Sequence, residues 1–233
     1  MLRKLVSVVP NTLTCCNLLS GCVAIFMAFH YSEQFGALSG ASWAMIAIGA
    51  ATVFDFLDGA SARLLKAFSP IGADLDSLSD MVSFGIAPAM LMLNVMLTYS
   101  VHPWLCWAAF LIPVCGALRL AKFNIDTEQA TYFRGLPIPA NAIFWIGMYG
   151  WITSYGYPGT AIMVILIVLI SLAMVAKFKL FSLKFKNFDF HENFIRYVIV
   201  VAAILFVVIY GLSGLVWTVV LYVLMSLLRQ HRI

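Results

Sequence analysis

Charge is what this chain lacks. Asp, Glu, Lys and Arg make up only 10% of its 233 residues, against 63% hydrophobic, and the mean hydropathy is +0.99. So few charges cannot clothe a soluble domain of this size, which leaves the bilayer as the solvent. The sequence also lacks any CxxC pair. Cys15, Cys16, Cys22, Cys106 and Cys115 all lie in apolar stretches, where they read as small buried hydrophobes rather than metal ligands. His30, His102, His191 and His231 are scattered, so none is placed to bind a metal or to activate Ser77, Ser79 or Ser83 as a nucleophile. There is no internal repeat and no low-complexity segment. The net charge of +4 calls for no nucleic-acid partner, because a basic rim beside anionic lipid headgroups accounts for it.

What is present is a series of long apolar runs. A helix needs about 20 mainly apolar residues to cross a bilayer. Spans are expected near Thr12–Phe29, Leu38–Ala62, Ala73–Thr98, Trp104–Phe123, Pro139–Ser154, Gly159–Ala176, Phe194–Tyr210 and Leu212–Leu228. Tyr31, Tyr99, Trp104, Tyr155 and Tyr157 stand near the ends of these runs, as interfacial aromatics do. Arg3 and Lys4 precede the first run in the manner of a signal peptide. Pro10 and Asn11 interrupt it, however, and no small-x-small cleavage site follows, so it reads as a retained span.

The expected fold is therefore all-α: a polytopic membrane helical bundle of about eight transmembrane helices, forming one domain over residues 1–233. Residues 12–176 would be the core bundle and 194–228 a C-terminal helical pair. With the N-terminus inside, all fourteen Lys and Arg fall on one face and the outer connections carry only Glu33. That asymmetry makes both termini cytoplasmic, and a six-span core with a less regular C-terminal pair stays open. Residues 177–188, KFKLFSLKFKNF, alternate Lys with Phe and read equally as a lipid-surface contact or an ordinary loop.

Five of the ten acidic residues fall between Asp55 and Asp80. Asp55 and Asp58 are one turn apart on one helical face. Ser69 and Pro70 signal a new helix start, after which Gly72, Asp76 and Asp80 share one face at i, i+4, i+8. The short connection makes the two helices antiparallel neighbours, so the two carboxylate pairs can meet near the inner surface. Asp74 is off this face and is expected to serve the first turn of its helix. Each intramembrane Asp costs roughly 2.5–3.5 kcal/mol, and four together repel one another. Arg63 is one counter-charge. Divalent cations supply the rest, since carboxylate oxygens hold Mg²⁺ alongside substrate phosphates and paired metals can clamp a phosphoryl displacement. Gly59, Ala60, Ala62, Gly72 and Ala73 remove bulk here, for close helix packing or for the approach of a phosphate-bearing ligand.

The residues read DxxDGxxAR from Asp55 to Arg63, then eight residues, then GxxxDxxxD from Gly72 to Asp80. This resembles the signature of the CDP-alcohol phosphatidyltransferase family at all of its fixed positions. The resemblance implies a helical membrane bundle, commonly a homodimer. It also implies a reaction in which an alcohol hydroxyl attacks the lipid-side phosphate of CDP-diacylglycerol and releases CMP. By position, Asp55, Asp58, Asp76 and Asp80 would bind two divalent metal ions, Mg²⁺ or Mn²⁺. Asp80 would also be the general base. Asp58, Gly59, Ala62, Arg63 and Gly72 would line the CDP pocket.

VPNTLT (Val9–Thr14), ALRLAKFN (Ala117–Asn124) and FRGLPIPA (Phe133–Ala140) are similar to stretches of the phosphatidylserine synthase branch of that family, with Lys122 where arginine is more usual. This implies L-serine as acceptor. Arg119 or Arg134 would hold its carboxylate in bidentate fashion, and Asn124 would accept from its ammonium. All three cations near this site also read as positive-inside residues. Asn11 and Thr14 would cap the first helix or contact the nucleotide. Glycerol 3-phosphate or inositol as acceptor stays open. So does a cation transporter using the intramembrane carboxylates, although a transporter should spread its acids along a path and here they crowd one end. The site would face the cytoplasm, at the cell membrane.

Overall fold

The computed structural model describes residues 7–67, 69–125, 132–181 and 190–230. Nearly all of them are helical. Helix α1 is Val8–Phe29 and α2 Gly40–Leu64; α3 runs over Pro70–Tyr99 and α4 over Pro103–Ile125. Helices α5 (Ile138–Tyr155) and α6 (Thr160–Val175) follow. Then come α7 (Phe190–Tyr210) and α8 (Gly214–Gln230), joined by a 3-10 turn over Gly211–Ser213. These helices occupy the eight stretches expected to be spans.

Among the described residues, five helical segments are long and apolar enough to cross a membrane: Val8–Phe29, Gly40–Leu64, Pro70–Tyr99, Pro103–Ile125 and the continuous pair Asn193–Leu228. Helix α6 is apolar but shorter. The expectation of an all-α chain missed two short antiparallel strand pairs. One is β1 (Gln34–Phe35) with β2 (Leu38–Ser39), and the other is β3 (Tyr132–Arg134) with β4 (Lys179–Phe181). The first is a tight hairpin with Gly36 at φ +67°, a left-handed conformation that glycine adopts without strain. Arg3, Lys4, Arg232 and most of the Lys/Phe-alternating stretch lie outside the described residues.

Helix α1 buries Pro10, Thr14, Asn17, Gly21, Ala24 and Ala28, at spacings of three and four residues. Its large apolar residues Leu19, Val23 and Phe26 are exposed. Small and polar inside, large and apolar outside is the pattern of a membrane helix, where close backbone approach rather than hydrophobicity drives association. This stripe lets α1 lie along both α2 and α3, while α2 and α3 touch each other only slightly. The two helices bearing the aspartates are thus splayed around α1 rather than packed as simple antiparallel neighbours. The bundle core is built on Phe84, Leu91, Met92, Met96, Ile112, Ile138, Trp145 and Ile167.

Candidate active site

Ser69 and Pro70 start α3 as the sequence predicts: Ser69 Oγ accepts from the Gly72 amide at 3.0 Å and Pro70 occupies the first turn. The cap fixes where the helix begins, and hence where Asp76 and Asp80 point. Asp74 is exposed on the same helix, and the capping is done by Ser69.

One carboxylate oxygen each from Asp55, Asp76 and Asp80 lie within 4.8 Å of one another. Three carboxylates so close repel, and partial burial removes water that would screen them. The donor set is oxygen alone, as hard divalent cations require. One Mg²⁺ with bonds of about 2.0–2.1 Å spans roughly 4 Å between opposite ligands, close to this spacing. The residues therefore fit a divalent cation.

Asp58 stands apart from this trio. It is buried, and its Oδ2 accepts from Thr14 Oγ1 at 2.7 Å. Asp80 Oδ1 accepts from Asn17 Nδ2 at 3.3 Å. Helix α1 thus supplies a neutral donor to one aspartate on each side of the splay. Two further bonds bind α1 to α3: Ser79 Oγ donates to the Thr14 carbonyl at 3.2 Å, and Ser83 Oγ to the Asn17 carbonyl at 3.0 Å. Asn11 and Thr14 do not cap the first helix, because it begins at Val8 and both sit inside it.

A cavity of about 200 Å³ adjoins the trio, lined among others by Asn11, Thr14, Asp58, Arg63, Gly72 and Asp76. Gly59 and Ala62 also face it. It collects every residue expected to contact the CDP group. A Cβ on Gly72 would meet Ser69 Oγ at 3.0 Å and Asn11 Oδ1 at 3.1 Å, so glycine keeps this wall open.

Arg119, on α4, is buried and faces Asp80 electrostatically. Its Nε is buried with no hydrogen-bond partner. A buried N–H without an acceptor is costly. Its Cζ lies 5.8 Å from the Phe123 ring centroid. Tyr222 of α8, also buried, faces it electrostatically. Asn124 is exposed and exchanges hydrogen bonds with Ser77, donating from Nδ2 at 3.0 Å. Arg134 is exposed on β3, in register with Lys179. Of the three residues expected at the acceptor, Arg119 alone is buried beside Asp80.

Asn17 and Tyr222 carry no role in the sequence reading. Asn17 was detectable as a polar residue three positions after Thr14 in an apolar helix. Nothing in the local sequence around Tyr222 signals its place.

A second cavity, about 740 Å³ and apolar, is lined by α2 residues up to Phe56 together with Ile143, Ile146, Leu212 and Leu215.

The CDP-alcohol phosphatidyltransferase family profile matches residues 7–183. A CDP-diacylglycerol–serine O-phosphatidyltransferase of Methanocaldococcus jannaschii is 36% identical over 178 residues, covering 76% of this chain and 75% of that protein. Proteins of the same name match from Mycobacterium leprae (35% over 162 residues, 63% of this chain and 51% of that one) and Bacillus subtilis (37% over 132 residues, 56% and 69%). This chain thus spans about half the length of the mycobacterial relative.

Proposed function

The chain belongs to the CDP-alcohol phosphatidyltransferase family, and from that premise we propose that it is a CDP-diacylglycerol–serine O-phosphatidyltransferase. The observation that carries this reading is the joining of the Asp55, Asp76 and Asp80 carboxylates to a cavity lined by the remaining motif residues. The names of the relatives support serine as the acceptor.

The cavity walls take the cytidine diphosphate group, with Gly59, Ala62 and Gly72 giving it room and Arg63 at the exposed rim meeting phosphate. Thr14 holds Asp58 in place beside it. Two divalent ions, Mg²⁺ or Mn²⁺, held by Asp55, Asp58, Asp76 and Asp80, would neutralise the pyrophosphate charge when bound. Arg119, whose buried Nε has no hydrogen-bond partner, receives the serine carboxylate through its guanidinium, which sets the serine hydroxyl toward Asp80. Asp80 takes the hydroxyl proton as the oxygen attacks the lipid-side phosphorus. The bond from that phosphorus to the oxygen of CMP breaks, and CMP leaves with the electron pair. Asn124 and Arg134, at the exposed edge, guide the amino acid inward. The apolar cavity reaching Phe56, next to Asp55, offers the lipid chains a place beside the site.

The eight helical stretches cross the cell membrane with both termini and the site on the cytoplasmic side, a reading supported by the one-sided Lys and Arg distribution. The homodimer common in the family is the assembly expected. The test is CMP release by detergent-purified protein given CDP-diacylglycerol and Mg²⁺ or Mn²⁺, with serine, glycerol 3-phosphate or inositol offered separately and an EDTA control. Metal-dependent release with serine alone is expected. Release with another alcohol instead would discard the acceptor and the role given to Arg119.

A further inference from the structure

Immediately after Asp80, helix α3 widens. Residues Met81–Ile86 form a π-helical turn, and the Ala87 amide donates to the Val82 carbonyl five residues back. One extra residue in a turn rotates everything before it against everything after it by about 100°. The rotation lets Asp76 and Asp80 face the carboxylate cluster while Ala87, Leu91 and Met92 still face the core.

Such a turn disturbs the regular ladder, and here neighbours grip it from both sides. From α1, the Asn17 carbonyl receives Ser83 and the Asn17 amide reaches Asp80. From α5, Asn141 Nδ2 donates to the Phe84 carbonyl at 3.0 Å, and Trp145 Nε1 donates to Asn141 Oδ1 at 2.8 Å. Asn141, Trp145 and Phe84 are wholly buried. An amide there is costly unless both ends are paired, so packing alone would favour leucine. The pairing also fixes direction. An indole nitrogen only donates, so Trp145 claims the amide oxygen and leaves the NH₂ for the π turn.

We propose that Asn141, oriented by Trp145, is a positioning residue that holds the wide turn and so sets the direction in which Asp76 and Asp80 leave α3. It touches no reacting group. The proposal rests on reading the aspartate trio as the metal and base site. Its test is Mn²⁺ binding to the full-length protein in detergent, followed by electron paramagnetic resonance without substrate, beside CMP release.

Asn141→Leu should weaken Mn²⁺ binding by about 10-fold or more, as loss of outer supporting bonds does, and lower kcat with it. The KM for CDP-diacylglycerol should change little. Trp145→Phe keeps an aromatic side chain but removes the donor together with the five-membered ring that carries it, and should shift both readouts the same way by a smaller factor. A monodisperse, fully helical Asn141→Leu protein that binds Mn²⁺ as tightly as the parent overturns the proposal. Should that variant not fold, unaltered Mn²⁺ binding by Trp145→Phe overturns it. Mn²⁺ binding that is absent from the parent, or undiminished in Asp80→Asn, overturns the metal-site reading and this proposal with it. Binding lost in Asp80→Asn but kept in Asn141→Leu overturns the positioning role alone.

Discussion

Thr14 has a single hydroxyl proton and two acceptors in reach, Asp58 Oδ2 at 2.7 Å and the Pro10 carbonyl at 3.0 Å. The carboxylate is the stronger acceptor, so the proton favours Asp58. Thr14→Val keeps the shape and removes the donor. A hydrogen bond to a charged group is worth about 1.5–3 kcal/mol, and its loss frees Asp58 to turn away from the cavity. The expected result is a KM for CDP-diacylglycerol raised by about 10-fold, with Thr14→Ser close to the parent; initial rates of CMP release measure both. Arg119→Lys keeps the charge but loses the planar fork. It should raise the KM for serine by about 10-fold or more and leave that for CDP-diacylglycerol nearly unchanged, a split the same assay resolves. Asp76→Asn should reduce kcat at least about 100-fold while elution volume and helical content stay as in the parent.

At the scale of elements, what holds the helices together is absence of bulk. Gly150 of α5 lies against the 3-10 turn between α7 and α8: an added Cβ would sit 2.8 Å from the Ser213 nitrogen and 2.9 Å from the Leu212 carbonyl carbon. Those are backbone atoms and cannot swing aside. Gly49 of α2 has nothing within 4 Å of the same position. Alanine at 150 should therefore overpack the contact at a cost of about 1–3 kcal/mol. Alanine at 49 should stabilise by up to about 1 kcal/mol through helix propensity. Thermal midpoints in one detergent should move in opposite directions for the two variants. Glycine count alone does not separate them, since both sit in apolar helices and only the partner across the gap differs.

For the whole molecule, the placement of charge predicts sidedness. A reporter enzyme active only outside the cell should work when inserted after Glu33 and stay silent when fused after Lys66 or at the C-terminus. A signal at the last two would reverse the orientation and with it the cytoplasmic site. Asp55, Asp58, Asp76 and Asp80 gather at one end of the bundle, whereas a transporter would spread its acids along a path through it.

The sequence by itself determined the helices, their apolar character and the aspartates. Twenty-residue apolar runs have few alternatives in a bilayer, and the Asp55–Asp80 spacing puts its carboxylates on defined faces whatever surrounds them. The residues that line the cavity proposed for the CDP group were also legible, because they are local to one motif or are Asn11 and Thr14 of α1. Only the tertiary structure decided that α1 stands between the aspartate-bearing helices. The same holds for the pairing of Asp58 with Thr14 while Asp55, Asp76 and Asp80 cluster, and for the burial of Arg119 beside Asp80 while Arg134 remains exposed. It alone put Asn141 and Trp145 on the π turn and Tyr222 beside Arg119. Those contacts join residues tens of positions apart. They depend on which small side chains let which backbones approach, a choice made jointly by both surfaces of each helix pair and therefore not written in either stretch alone.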